Sequence, residues 1–218
     1  MTALIPNRLL FQFEFPLRYR VKPPAWDGTL KAWNPAERLP DFGALDGQRA
    51  FADVFACWSE AGLTFACRVE GKRNPPQCER SRFWTGDNIR VCTDVRDARA
   101  NRRATRFCRQ FYLLPTGGGR NGREPVGGVN PIPRSREAAP AVPAGRIEVA
   151  ARILSGGYSL QAFLPADCLS GFDPAEYPRI GFYYIVEDLE LGQQYLTVGD
   201  DLNWHFDPST WATAVLVR

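Results

Sequence analysis

Residues 51–69 read FADVFACWSEAGLTFACRV. Two apolar runs, 51–57 and 62–69, flank a turn centred on Ser59, Glu60 and Ala61. Runs of seven or eight residues, rich in Phe and Val and broken by turn residues, are strands, too short for buried helices. The stretch therefore reads as a β-hairpin, and the rest of the chain repeats its pattern. Upstream, LLFQFEF (9–15) alternates with period two and puts Phe11, Phe13 and Phe15 on one face. Downstream, GDNIRVCTD (86–94) turns Ile89 and Val91 one way and Asn88, Arg90 and Cys92 the other. RFCRQFYLL (106–114) alternates imperfectly, as a bulged strand would. RIEVAARIL (146–154) and GYSLQAFLP (157–165) meet at a Gly156-Gly157 turn, and a short helical turn follows Pro165. IGFYYIVED (180–188) and WATAVLV (211–217) complete nine or ten strands. The only helix of useful length expected is at 97–106. The pattern predicts an all-β chain, a two-sheet antiparallel β-sandwich of the jelly-roll or immunoglobulin-like kind, folded as one domain over 1–218.

One stretch breaks the rhythm. Residues 115–146 carry seven Gly, six Pro and five Arg, with almost no aliphatic pattern. That composition predicts a long mobile surface loop inserted into the sandwich. Just before it, DARANRRATRFCR (97–109) spaces arginines three or four apart and would give a helix one basic face. The net charge is only +3, acids balance the arginines elsewhere, and no aromatic stacking motif accompanies them. A solvated Arg-rich connection is expected, with no nucleic-acid partner.

Composition excludes several chemistries. No apolar run approaches the length of a membrane helix, so no membrane association is expected. His205 is the only histidine, which rules out a multi-histidine metal site, and no G-x-S-x-G elbow is present for a serine triad. The Gly-rich stretch TGGGRNGREPVGG matches neither a phosphate loop nor a dinucleotide fingerprint. The six cysteines form no C-x-x-C pair. The first twenty residues lack the apolar core of a signal peptide, so free thiols and a cytoplasmic location are expected. No cofactor, metal or catalytic residue is expected.

Six segments, in order, resemble the family-9 carbohydrate-binding modules and the wider DOMON-like sandwiches. They are DGTLKAWNPAERLPDF (27–42), the hairpin at 51–69, FWTGDNIRVCTD (83–94), GGYSLQAFLP (156–165), IGFYYIVEDLE (180–190) and NWHFDPSTWATAVLV (203–217). The resemblance implies a non-catalytic sandwich that holds a sugar on one sheet face between two tryptophans. Trp84 stands at the first matching position and Trp204 at or near the second. Trp26, Trp33, Trp58 and Trp211 are expected to pack. An indole offers a flat apolar face to a pyranose, and flanking polar groups fix the hydroxyls.

Strand parity extends this site to Asn88 and Arg90, to Arg106 and Gln110 on the neighbouring strand, and to Tyr183 on the 180–188 strand. Asn203 lies beside Trp204. Two positions depart from the sugar-binding members: Arg90 stands where they carry an acid, and Ile185 where they carry an amide. An arginine-lined face suits an anionic glycan. The competing expectation is an interaction or scaffold domain, with a protein partner, that has lost the sugar site. A haem-binding DOMON domain would need axial ligands from Met1 and His205, the only residues of their types.

Overall fold

The computed structural model describes residues 11–200 and 202–218. The hairpin at 51–69 forms β2 (Ala52–Ser59) and β3 (Gly62–Glu70), in register from Ala52 opposite Val69 to Ser59 opposite Gly62. Gly62 permits the tight return. Its φ is +139°, and a Cβ there would lie 2.2 Å from the Leu164 carbonyl oxygen. Outward from β3 come β8 (Gly157–Pro165) and the edge strand β7 (Glu148–Leu154). On the other side, β2 meets β1 (Glu14–Tyr19), and β1 meets β11 (Ala212–Val217). Then follow β9 (Arg179–Asp188), β4 (Asn88–Asp94), β5 (Cys108–Gly118) and β6 (Glu124–Asn130), with β10 (Gly192–Tyr195) on β9.

The chain is all-β, and no α-helix occurs among the described residues. The expected pair of antiparallel sheets is replaced by one eleven-stranded mixed sheet, coiled almost into a barrel. The reason is β1, which pairs in parallel with both β11 and β2 and so splices two halves that would otherwise be separate. The edge strands β6 and β7 come together without a ladder. Gly127 faces Ile147 and Val149 so closely that a Cβ would lie 2.6 Å from Val149 Cγ2. Inside the coil is one core, in which Leu17, Phe65, Phe111, Tyr158, Phe182 and Tyr184 are buried.

Three local expectations change. The first strand starts at Glu14, so it runs 14–19 where 9–15 was expected; Phe11 is exposed and Phe13 stacks on Phe42 at 4.0 Å. Residues 9 and 10 lie outside the described residues. Pro16 sits within this strand because β2 meets β1 only at Arg18 and Tyr19, leaving Pro16 no ladder bond to lose on that flank. Residues 97–106 make turns in place of a helix, and two of their arginines bind separate backbone carbonyls: Arg99 Nη2 donates to the Trp211 carbonyl at 2.7 Å and Arg103 Nε to the Arg134 carbonyl at 2.9 Å.

The Gly/Pro stretch at 115–146 is no continuous loop, because β5 extends to Gly118 and β6 occupies 124–130. A register shift between Leu114 and Gly118 marks the bulge. Glycine at 127 and 128 here gives space to neighbours, not a turn. A Cβ on Gly128 would meet Tyr112 Oη at 2.4 Å.

All six cysteines are free, and only Cys78 is not buried. Burial pushes the Cys57, Cys92 and Cys108 thiols up to about 12. The thiolate is the nucleophile, so these groups are inert near neutrality. Alkylation of the native chain at pH 8 is expected to mark Cys78 first, with the buried thiols reacting only after unfolding. Mass spectrometry that finds a bridged pair, or native labelling of Cys92 as fast as of Cys78, contradicts this.

Candidate functional site

The site starts at the segment before β4. Arg80–Thr85 forms short 3-10 turns that carry Phe83 and Trp84 in succession. Phe83 lies flat on Tyr112 of β5, centroids 4.4 Å apart and planes 11° apart. Trp84 meets Phe83 edge-on at 5.1 Å. Phe83 thus supports an indole that stays 55% exposed. The chain returns to β4 through Gly86, where a Cβ would lie 2.2 Å from the Gln77 carbonyl oxygen.

Asp87 then fixes the start of β4. It accepts from the Gln77 N–H at 2.6 Å, the Leu189 N–H at 2.8 Å and Lys72 Nζ at 3.3 Å. Lys72 also reaches Asp188 at 2.6 Å, and all three side chains are almost wholly buried. This network ties the segment bearing Trp84 to the end of β9.

The ladders place the rest. Asn88 lies opposite Glu187, Arg90 opposite Ile185 and Tyr112, and Cys92 opposite Tyr183 and Gln110. Asn88 Nδ2 donates to the Gly86 carbonyl at 2.8 Å and to Glu187 at 2.9 Å. Arg90 forms an ion pair with the same carboxylate. Gln193 of β10 donates to Glu187 at 2.8 Å and to Asp200 at 2.6 Å. The result is a polar strip, Asn88–Glu187–Arg90–Gln193–Asp200, on the sheet face that bears Tyr112. Asn88 Oδ1 and Arg90 Nε have no hydrogen-bond partner.

Trp204 does not form a second exposed wall. It is 1% exposed and stacks on Tyr183 at 4.9 Å and 19°, with the Arg90 guanidinium 4.6 Å from its ring centroid. Its Nε1 donates to Asp200 at 3.1 Å, and its carbonyl accepts from Trp211 Nε1 at 2.9 Å. The two-indole clamp is therefore closed to a pyranose, although both tryptophans lie over the same side of the sheet. The polar flank of Trp204 misleads because its neighbours turn outward. Asn203 is exposed, and its carbonyl accepts from the Phe206 and Asp207 N–H groups.

The other expected site residues divide. Gln110 is buried, bonded to Asn130 and 3.5 Å from the His205 carbonyl. Tyr183 is buried and donates to the Val198 carbonyl at 2.6 Å. Both serve as the floor beneath Trp204 and His205. Burial, and then the charge of Arg90, lower the His205 pKa below its ordinary value. Arg106 precedes β5 and leans on Glu137 at 3.8 Å and on Phe107. Six residues from Tyr112, or about 20 Å along an extended chain, it takes no part in the strip.

Of the tryptophans expected to pack, Trp33, Trp58 and Trp211 are buried, while Trp26 is 39% exposed. Sequence reasoning missed Gln193 and Asp200. Strand β10 has only four residues, too few for an alternation to register.

No protein-family model matches the chain, and no curated protein matches it in sequence. Solved structures do match in fold. A carbohydrate-binding module of family 9 from Caldicellulosiruptor kristjanssonii, in complex with cellotriose, superposes with a TM-score of 0.63 at 14% identity. The match covers 94% of this chain and 93% of that one. The module from the same organism in complex with glucose gives a TM-score of 0.66, also at 14% identity, covering 94% and 96%.

Proposed function

We propose that this chain is a non-catalytic carbohydrate-binding domain that takes a saccharide against Trp84. The observation that carries the reading is the exposed indole of Trp84, held by Phe83 and Tyr112 at the edge of the Asn88–Glu187–Arg90 strip. The likeness in fold to modules solved with cellotriose and glucose supports it. A single indole face contributes CH–π and apolar contact to one side of a sugar ring, and Glu187, Gln193 and Asp200 offer hydroxyl partners. Arg90 is already neutralised by Glu187. That removes the basis for preferring an acidic glycan, and a neutral sugar fits the strip better.

Trp84→Ala is expected to weaken glycan binding by about 1–3 kcal/mol, the scale of an exposed aromatic anchor. The melting temperature should barely change, because the indole is more than half exposed. Titration with glucose, cello-oligosaccharides and uronic-acid oligosaccharides reads both expectations. The burial of Trp204 favours a second reading, an interaction domain that has kept the fold and lost the sugar site. A glycan array on which the intact chain binds nothing would select that reading.

A further inference from the structure

A cavity of about 270 Å³ lies between the start of β5, the end of β6 and the segment that follows it. Val129, Ile132, Pro140 and Val142 give it apolar walls, and Arg109 lines it together with Thr105 and Ser135. Arg109 is 5% exposed. Its Nε donates to the Cys168 carbonyl at 2.9 Å, and no carboxylate among the described residues pairs with it. The one acid in the wall, Glu137, leans on Arg106, with both side chains more than half exposed. A buried guanidinium without a counter-ion is costly, since burial disfavours its charge and the hydrogen bond to the Cys168 carbonyl offsets only part of the lost hydration. Consistently, burial lowers the Arg109 pKa from its ordinary value. Every other buried cation among the described residues is compensated: Lys72 by two aspartates and Arg90 by Glu187.

We propose that this cavity is a second binding site, independent of Trp84, for a small carboxylate with an apolar body. The planar guanidinium accepts a carboxylate in a two-pronged fashion. Thr105 and Ser135 offer hydroxyls, and the walls take an aliphatic tail. The volume falls just under that of drug-sized pockets, which sets the ligand as a short acid, not an oligosaccharide.

Calorimetric titration of the full chain with hexanoate and with its uncharged analogue hexanamide tests this. Hydrogen bonds to a charged group predict hexanoate to bind about 10-fold or more tighter than hexanamide. Arg109→Gln should erase that preference. Because Arg109 is also bonded to Cys168, a second variant guards against a folding defect. Ala139→Phe, at a half-buried wall position, should fill the cavity and abolish binding of both compounds while the melting temperature holds. Trp84→Ala should leave both affinities unchanged, which separates this site from the saccharide face. Equal affinity for acid and amide, no hexanoate binding at all, or hexanoate binding retained in Ala139→Phe overturns the proposal.

Discussion

Lys72→Met is expected to lower the free energy of unfolding by about 3–5 kcal/mol, the cost of removing one partner from a buried ion pair. The ammonium touches two carboxylates, Asp188 at 2.6 Å and Asp87 at 3.3 Å, and its side chain is 2% exposed. Methionine fills the same space but leaves two buried negative charges facing each other. Burial alone would pull the Lys72 pKa down; the hydrogen bond to Asp188 and the charges of Asp87 and Asp188 outweigh it, and the net direction is up. A raised lysine pKa stabilises the fold fully below the unfolded value of about 10.4 and loses that contribution as pH climbs through the folded value. Urea titrations should therefore show wild-type stability falling above that point, with no matching loss in Lys72→Met. Adding Asp87→Asn and Asp188→Asn to Lys72→Met should recover part of the cost, because the residual charges go. A loss below about 1 kcal/mol, the scale of an exposed pair, would mean that water reaches the network.

Trp204→Ala is expected to cost about 3–5 kcal/mol as well, by leaving a cavity where a large aromatic was packed. Tyr183 loses its stacking partner, Asp200 loses a donor, and Arg90 loses the ring it lies over. The contrast with Trp84→Ala separates the two indoles. One variant should unfold early in urea, and the other should keep its stability and lose ligand. If Trp204→Ala is as stable as wild type and yet fails to bind sugar, the indole leaves its packed position in solution and the two-wall clamp operates after all.

The strands were legible either as apolar runs of seven or more residues bounded by turn residues or as a period-two alternation. β2, β3, β4, β8, β9 and β11 fall within a few residues of where the pattern puts them. β6 was hidden because its glycines answer to Tyr112, Ile147 and Val149 across the fold, a demand that local composition reports as a loop. That the sheet is single rests on β1 lying parallel to its neighbours, and parallel partners distant in sequence leave no turn signature between them.

At the site, Asn88 and Arg90 share one face of β4, as parity expected, because both sit inside a regular strand, and both are buried there. It could not orient Trp204, which lies in a run of turns where side chains have no fixed alternation. The polar residues flanking that indole reflect where the backbone meets solvent, not where the ring points.

The position of β1 also sets an order on the making of this molecule. Glu14 stands beside Thr213 and Leu17 beside Leu216. A ribosome must therefore synthesise nearly two hundred residues beyond β1 before that strand meets this neighbour. The hairpins β2–β3, β4–β5 and β7–β8 have their partners at hand as they appear. Contacts so distant in sequence slow folding, because chain entropy is lost before they reward it. Until β11 arrives, the inner flank of β9 and one flank of β1 stay open to other chains, the condition in which unfinished sheets aggregate. Closure of this coil must therefore wait for the last strand described.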